Sequence, residues 1–532
     1  MATSQSRAWR AACPNCGAPV EFASAASASA VCSFCRSTLL RDGEALKRIG
    51  VSAELFDDHS PLRLGASGVL QGRSFTLVGR LQYGYDGGTW NEWHAFFDNG
   101  RSAWLSEDNG AYVLAVESRA PADAPQLDEL RAGQRVLADR RAWDVASVVR
   151  ARLIAAEGEL PTPPRLQGEF LVADLRNSQG EVATLDGSEL DRGGAVHWSV
   201  GRSVLLADLR MQGLAETSEK TLQGRAIECP SCGAALEPKL GTTKSLACGQ
   251  CKAVVDISAG AGAELAFFAQ NNSGPGGLEP QIPLGKTGQI ALATTPGAER
   301  AAWQVVGYLE RCDIPDDADE DQTFWREYLL WNRTLGFAFL VDAEDGWSWV
   351  RPITGAPQAS GDIASYEDVT YRRQYTYTAK VTWVLGEFYW RVQRDERALV
   401  SDYVGTGAHG TRRLAREQTG NEVTWSAGAT LTAAAVAEAF GIAPGARAAL
   451  EREVKPLSQT KGTKTSTIVI IVLIFIVLAI LDSCDDDDCD SVRAAFGASS
   501  NEYQQCLAQR GSGGGSRTGG GSFGGWSGGG HK

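Results

Sequence analysis

The sequence predicts a mainly β protein in which two zinc ribbons alternate with two β-rich domains of small-barrel type, followed by one C-terminal transmembrane helix. Three observations carry that expectation. Eight of the twelve cysteines fall into two copies of one spacing, the segments after each copy share ordered markers, and one long apolar run lies near the C-terminus. The 532 residues leave room for three or four units at roughly 150 residues each. With 43% hydrophobic and 22% charged residues, most of the chain can bury a core.

Cys13-Pro-Asn-Cys16 is followed after fifteen residues by Cys32-Ser-Phe-Cys35. Cys229-Pro-Ser-Cys232 is followed, again after fifteen, by Cys248-Gly-Gln-Cys251. This is zinc-ribbon spacing. Two knuckles each present a thiolate pair, and a hairpin between them gathers the four sulfurs around one ion. The expected ligands are Cys13, Cys16, Cys32 and Cys35 for one Zn2+, and Cys229, Cys232, Cys248 and Cys251 for a second. Four thiolates leave no position for water, so structural ions are expected rather than catalytic ones. Gly17 and Gly233 follow the first knuckles, where a left-handed turn favours glycine. Disulfides are the competing use, but no signal peptide is read before Cys13, so reduced thiols are expected.

Composition narrows the partners. Lys and Arg number 51 against 64 Asp and Glu, for a net charge of −13, and six of the acids lie between Asp482 and Asp490. The stretch from Cys13 to Gly50 has four basic residues (Arg36, Arg41, Lys47, Arg48) against Glu21, Asp42 and Glu44. That balance is too weak to hold a phosphate backbone, so nucleic acid is not an expected partner. The five histidines, at 59, 94, 197, 409 and 531, are never paired at ligand spacing, which speaks against a histidine-rich metal centre.

Ile468 to Leu481 is an unbroken apolar run, and residues 465–483 give nineteen residues. At 1.5 Å per residue these reach about 28 Å, close to the roughly 30 Å hydrocarbon core. A buried core element is the alternative, but polar and acidic neighbours on both sides leave it little to pack against. Arg447, Arg452, Lys455, Lys461 and Lys464 precede the run, and acids follow it. The positive-inside rule then places the N-terminal bulk in the cytoplasm, anchored at the inner membrane, with the tail outside. There Cys484 and Cys489 could form a disulfide, leaving Cys506 odd. From Gly511 the glycine-serine tail is expected to be disordered.

Between ribbons and membrane the chain repeats. Leu64 to Gly68 matches Leu284 to Gly288, and Phe75 to Gly79 matches Trp303 to Gly307. Trp90-Asn-Glu92-Trp93 matches Trp325-Arg-Glu327-Tyr328. Gly168-Glu169-Phe170 is aligned with Gly386-Glu387-Phe388, and Trp198 to Gly201 with Trp425 to Gly428. The expected units are ribbon 1 (1–50), β domain 1 (51–215), ribbon 2 (225–260), β domain 2 (280–435), a linker with a short helix (436–464), the membrane helix (465–483) and a tail (484–532). Asn99-Gly100 between two apolar runs predicts a hairpin. Tyr375 to Val384 and Glu387 to Val392 read as strands, and Leu431 to Phe440 as a helix. Inside the first copy, Leu62 to Leu77 echoes Leu130 to Val145, as two small SH3-like barrels would.

The segments GRSFTLVGRLQYGYDGGTWNEWHAFFDNGRSAWLSEDNG, RAWDVASVVRARLIAAEGELP, LGEFYWRV and EVTWSAG resemble the bacterial family DUF4178, a domain of unknown function. The resemblance covers roughly residues 50–210 and 280–435. It implies at most a role in an envelope-associated or polyamine-associated system. The family has no assigned reaction, so no catalytic residue is carried over. The second copy departs by inserting the acidic stretch Asp313 to Asp321.

No catalytic constellation emerges. Gly405-Thr-Gly407-Ala-His-Gly410 fits G-x-G-x-x-G but has no βαβ context and reads as a loop. Gly285-Lys286-Thr287 is not a P-loop end, because Pro280 stands where its first glycine belongs. Glu92 and Glu327 are the best candidate functional carboxylates, though a strand-edge acid beside an aromatic is the favoured reading. His94 has Leu329 as its counterpart, so no shared acid–base pair is expected. The leading expectation is a membrane-anchored binding or scaffold protein for a protein or small ligand, and not an enzyme. An enzyme acting on a cationic metabolite such as a polyamine is the first alternative, and a nucleic-acid-binding regulator the second.

Overall fold

The computed structural model describes residues 9–451, apart from 23–26, 43–44, 52–59, 87, 109–110, 166, 216–226, 241–242, 258–264, 271–279, 295–296, 316–321, 334 and 394–395. The expected membrane helix, acidic run, Cys484, Cys489, Cys506 and glycine tail lie outside these residues, as do His59 and His531. Among the described residues no helix is long and apolar enough to cross a membrane.

The first repeat has eight long strands: β1 (Arg73–Tyr85), β2 (Gly88–Phe97), β3 (Ser102–Asp108), β4 (Ala111–Ser118), β5 (Arg141–Leu160), β6 (Phe170–Arg176), β7 (Glu181–Asp186) and β8 (His197–Val204). Each group of four is an antiparallel meander. The two meanders join first to first, β1 with β5, and last to last, β4 with β8, which closes an eight-strand ring. The second repeat follows the same plan with β9 (Ala301–Ile314), β10 (Phe324–Asn332), β11 (Gly336–Ala343), β12 (Gly346–Ile353), β13 (Val369–Phe388), β14 (Arg397–Gly405), β15 (Arg412–Thr419) and β16 (Glu422–Leu431). Here β9 pairs β13 and β12 pairs β16. Closure leaves neither sheet a long free edge, which otherwise invites pairing with other chains.

Alternation along the strands of the first barrel gives each meander its own core on one face. On β2, Trp93, Ala95 and Phe97 pack with Phe75, Leu77, Leu105 and Leu114, all from the first meander. Trp143, Val145, Leu175, Leu185 and Trp198 form a separate core in the second meander. The opposite faces meet where Trp90 packs on Val149, Ala151, Phe170 and Val172. The echo within the first repeat is visible in the backbone. The Gly65 amide donates to the Leu77 carbonyl, and the Gly133 amide donates to that of Val145, each at 2.8 Å. The two halves share one hydrogen-bonded ring rather than standing as independent small barrels.

Two readings of the sequence need correction. The structural counterpart of Gly386-Glu387-Phe388 is Gly158-Glu159-Leu160, not Gly168-Glu169-Phe170. Gly158 pairs with Gly79 and Gly386 with Gly307. Both have positive φ (69° and 84°), and a Cβ would collide with the Val78 or Val306 carbonyl, so only glycine fits. Tyr375 to Val384 is the middle of one 20-residue strand, β13, and Tyr389 to Val392 is not a strand. Tyr389, Trp390 and Val392 are apolar because they bury in the second barrel's core. The short helix is α1 (Ala433–Ala439), capped by Thr432 Oγ1 accepting from the Ala435 amide.

Each ribbon docks on its own barrel by adding a strand to the end of the long first strand of the second meander. Ser29–Val31 pairs with Gly158–Leu160 of β5. Ser245 and Leu246 pair with Phe388 and Glu387 of β13. The second joint is tied further. The Glu387 carboxylate accepts from the Lys239 and Leu240 amides and from Thr243 Oγ1, at 2.7–3.0 Å.

Candidate functional site

The eight expected thiols form two tetrads. Sγ atoms lie 3.6 Å apart for Cys13–Cys35 and 3.7 Å for Cys16–Cys32. The second tetrad repeats this with 3.7 Å for Cys229–Cys251 and 3.8 Å for Cys232–Cys248. All four sulfurs in each set lie within 4.8 Å of one another. Four thiolates bound at about 2.3 Å in a tetrahedron are separated by about 3.8 Å, so the geometry suits a metal ion. The knuckles explain how the chain does this. In each, the first cysteine's carbonyl accepts from the amide four residues on, at Gly17, Arg36, Gly233 or Lys252, and all four have positive φ.

The thiols of one tetrad differ in acidity. The Ser37 hydroxyl, 3.2 Å from Cys35 Sγ, leads the interactions that lower this thiol to about 5. Burial raises the Cys229 thiol to about 12, where the Ser231 and Cys232 amides only partly oppose it. Several thiolates so close together repel unless a cation sits among them, and that cation would favour ionisation of all four.

The two candidate carboxylates are not strand-edge acids. Glu92 on β2 and Glu327 on β10 are buried, on the faces where the meanders meet. Each accepts from the indole two residues earlier: Trp90 Nε1 at 3.1 Å and Trp325 Nε1 at 2.8 Å. Ser106 Oγ also donates to Glu92, at 2.6 Å. His94 instead contacts Ser102 Oγ (2.9 Å) and the Glu159 carbonyl (3.0 Å). In the second barrel Arg311 lies between Glu327 and Glu417, at 3.2 and 2.9 Å, with the guanidinium 5.7 Å from the Trp325 ring centroid. Burial raises Glu327 to about 7 even though Arg311 opposes it. These groups are 0–4% exposed, which makes the triad an interior ionic network and not a substrate-facing acid.

An open cavity of about 720 Å³ lies between the barrels and is lined by both. Its edges are tied by Ser147 pairing with Glu422, by Val148 N–H to the Asn421 carbonyl (3.2 Å) and by Arg176 Nη1 to the Thr354 carbonyl (3.1 Å). Five arginines (135, 176, 351, 373, 416) and three acids (Asp108, Asp144, Glu422) line it, beside Phe337, Tyr389, Tyr403 and Trp425.

Residues 63–206 and 298–433 both match the domain of unknown function DUF4178, and together they cover just over half of the chain. The chain belongs to the DUF4178 family. Each DUF4178 match spans one ring, β1–β8 or β9–β16, and neither includes a thiolate tetrad. No curated protein and no solved structure matches the chain.

The G-x-G-x-x-G stretch forms the turn between β14 and β15, with one 3-10 turn at Gly407–His409. The cleft residues escaped sequence reading because no motif marks them. Aligning the repeats residue by residue would have offered a signal, since the second DUF4178 copy has Arg351 and Arg416 where the first has Val116 and Leu185.

Proposed function

We propose that this protein is a binding or scaffold protein stapled by two zinc ions, whose ligand occupies the cleft between its DUF4178 barrels. The observation that carries this reading is the cleft itself, about 720 Å³ and lined from both repeats. Ligand sites are commonly concave, of this size, and placed between domains. The tetrads support structural zinc, since four thiolates at these separations complete the coordination shell and leave no reactive position. We place the bulk of the chain in the cytoplasm, held at the inner membrane by residues 465–483, on the strength of the apolar run and its basic flank.

Thermal-shift screening of the full chain against a metabolite library tests the binding role. Hits should disappear in Thr376→Trp, which fills the cleft from its exposed edge. Hits indifferent to that change would place binding elsewhere. Metal analysis should find two zinc ions per chain, and a reporter fused after Lys532 should be active only as an extracytoplasmic enzyme. The enzyme reading, with a cationic substrate such as a polyamine, is the weaker one, because the cleft carries five arginines against three acids. Calorimetric binding of spermidine to the full chain would revive it.

A further inference from the structure

We propose that the inter-barrel cleft is a site for a small oxyanion, a carboxylate or phosphate on an apolar body, held between Arg351 and Arg416. This rests on the binding role proposed above and names the chemical class of the ligand.

Arg351 on β12 stands opposite Ala427 of β16, and Arg416 on β15 stands opposite Trp425 of the same strand. Residues 425 and 427 share one face, so both arginines lie on that face, flanking β16 with backbones roughly 12 Å apart, two strand spacings across and two residues along. Trp425 lies between them and Tyr403 packs beside it, with ring centroids 5.7 Å apart. Both arginines are half-buried and line the cavity.

The other charges of the cleft are already satisfied. Arg135 is bound to Asp144 at 2.9 Å, and Arg373 to Asp362. Asp174 and Asp108 act on Arg176, and Glu422 bonds to Tyr85. Arg351 and Arg416 differ. Among the described residues neither has a carboxylate within ion-pair distance, and Asp144, which is bound to Arg135, acts on Arg416 only from farther away. Arg351 Nη2 donates to the Leu335 carbonyl at 2.6 Å, and Arg416 Nη2 to Gln418 Oε1 at 3.0 Å. Burial weakens the charged form of both, and no carboxylate acts on Arg351 to restore it. Taking a cation partly out of water without a counter-ion is unfavourable, and an oxyanion entering the cleft removes that cost. Guanidinium forks suit planar carboxylates and tetrahedral phosphates alike, while Trp425 and Tyr403 offer faces for the apolar part. The first barrel has no such pair, because Val116 and Leu185 occupy the equivalent positions.

The test titrates the full chain with phenylacetate, phenyl phosphate and neutral phenylacetamide, followed by calorimetry. We expect at least one anion to bind about tenfold or more tightly than the amide, since one charge-assisted hydrogen bond is worth about that factor. Which anion binds more tightly distinguishes carboxylate from phosphate ligands. R351Q–R416Q should reduce both anions to the level of the amide, and R351K–R416K should retain part of the preference. If the glutamine variant fails to fold, the wild-type anion preference should still shrink as salt rises from 50 to 500 mM, on the order of a Debye-screened effect. Equal binding of amide and anions, with both lost in Thr376→Trp, would overturn the oxyanion assignment and leave the cleft as a binding site. No binding of any probe would overturn both.

Discussion

In the first barrel the residue facing Trp90 across the β1–β2 pair is Tyr83, which stacks on the indole at 4.9 Å between centroids. Burial and then the Asp186 and Glu92 carboxylates raise its phenol pKa well above the ordinary value. In the second barrel the same position, facing Trp325, holds Arg311, and the carboxylates beside it are Glu327 and Glu417. Glu417 is the register counterpart of Asp186. One site is therefore acid–tyrosine–acid and the other acid–arginine–acid, at matching places in the two rings. Duplication kept the positions where backbone must approach backbone, such as Gly158 and Gly386, and let the interior charges change. Backbone collisions allow no compensation, whereas an interior charge can be rebalanced by its neighbours.

The comparison can be tested from its strongest element downward. Cys13→Ser and Cys229→Ser should each remove one of two bound zinc ions, counted by metal analysis, and unfold the ribbon concerned. Structural zinc contributes on the order of 10 kcal/mol or more, so no other single change should cost as much. Next, Arg311→Met should destabilise the second barrel by about 3–5 kcal/mol in denaturant titration, because it strands two buried carboxylates. Glu92→Gln in the first barrel should cost about 1–2 kcal/mol, the loss of hydrogen bonds alone. Equal costs for these two would mean the arginine adds nothing to the second interior.

Gly158→Ala and Gly386→Ala should each cost about 1–3 kcal/mol, and by similar amounts. Gly168→Ala should cost less, since its Cβ would meet only the flexible end of Arg165. The smallest expected effect is a pair of opposite pH slopes. His94 is lowered below 6.5 by burial, so its contribution is complete above pH 6.5 and is lost as pH falls. Glu327 and Asp342 are raised by burial to about 7, so the second barrel gains stability as pH falls from 7 towards their unfolded values near 4. His197 pulls the other way in the first barrel, because its imidazole, lowered by burial, is raised overall by Glu117. Hydrogen exchange resolved by barrel at pH 8 and 5.5 should therefore show the first loosening and the second tightening once His197→Asn removes that pull. His94→Asn and Glu327→Gln should each flatten their own slope.

Much of this architecture could be read from the chain alone, because its signals are local. The cysteine spacings, the Asn99-Gly100 hairpin and the Trp-x-Glu pairs are short strings, and the two repeats are found by matching such strings along the chain. The errors came where a short string occurs twice nearby. Gly158-Glu159-Leu160 and Gly168-Glu169-Phe170 are ten residues apart, and only strand pairing decides which one matches Gly386. Tyr389 to Val392 looked like a strand because burial in a core produces the same composition. The triad was invisible for a different reason. Arg311 meets Glu417 across 106 residues, and no periodicity announces such a pair. The cleft exists only because two repeats stand together, so its arginines carry no local mark.

The docking of each ribbon onto the far end of a barrel strand sets an order of assembly on the ribosome. Ser29 must wait for Leu160, 131 residues later, before its neighbours find their edge partner. At bacterial and eukaryotic synthesis rates that delay is on the order of ten seconds. Throughout that interval the wall on which the first ribbon leans has not yet been made. The newborn protein thus carries an open seam, and the same wait recurs when the second ribbon emerges, since Ser245 pairs with Phe388.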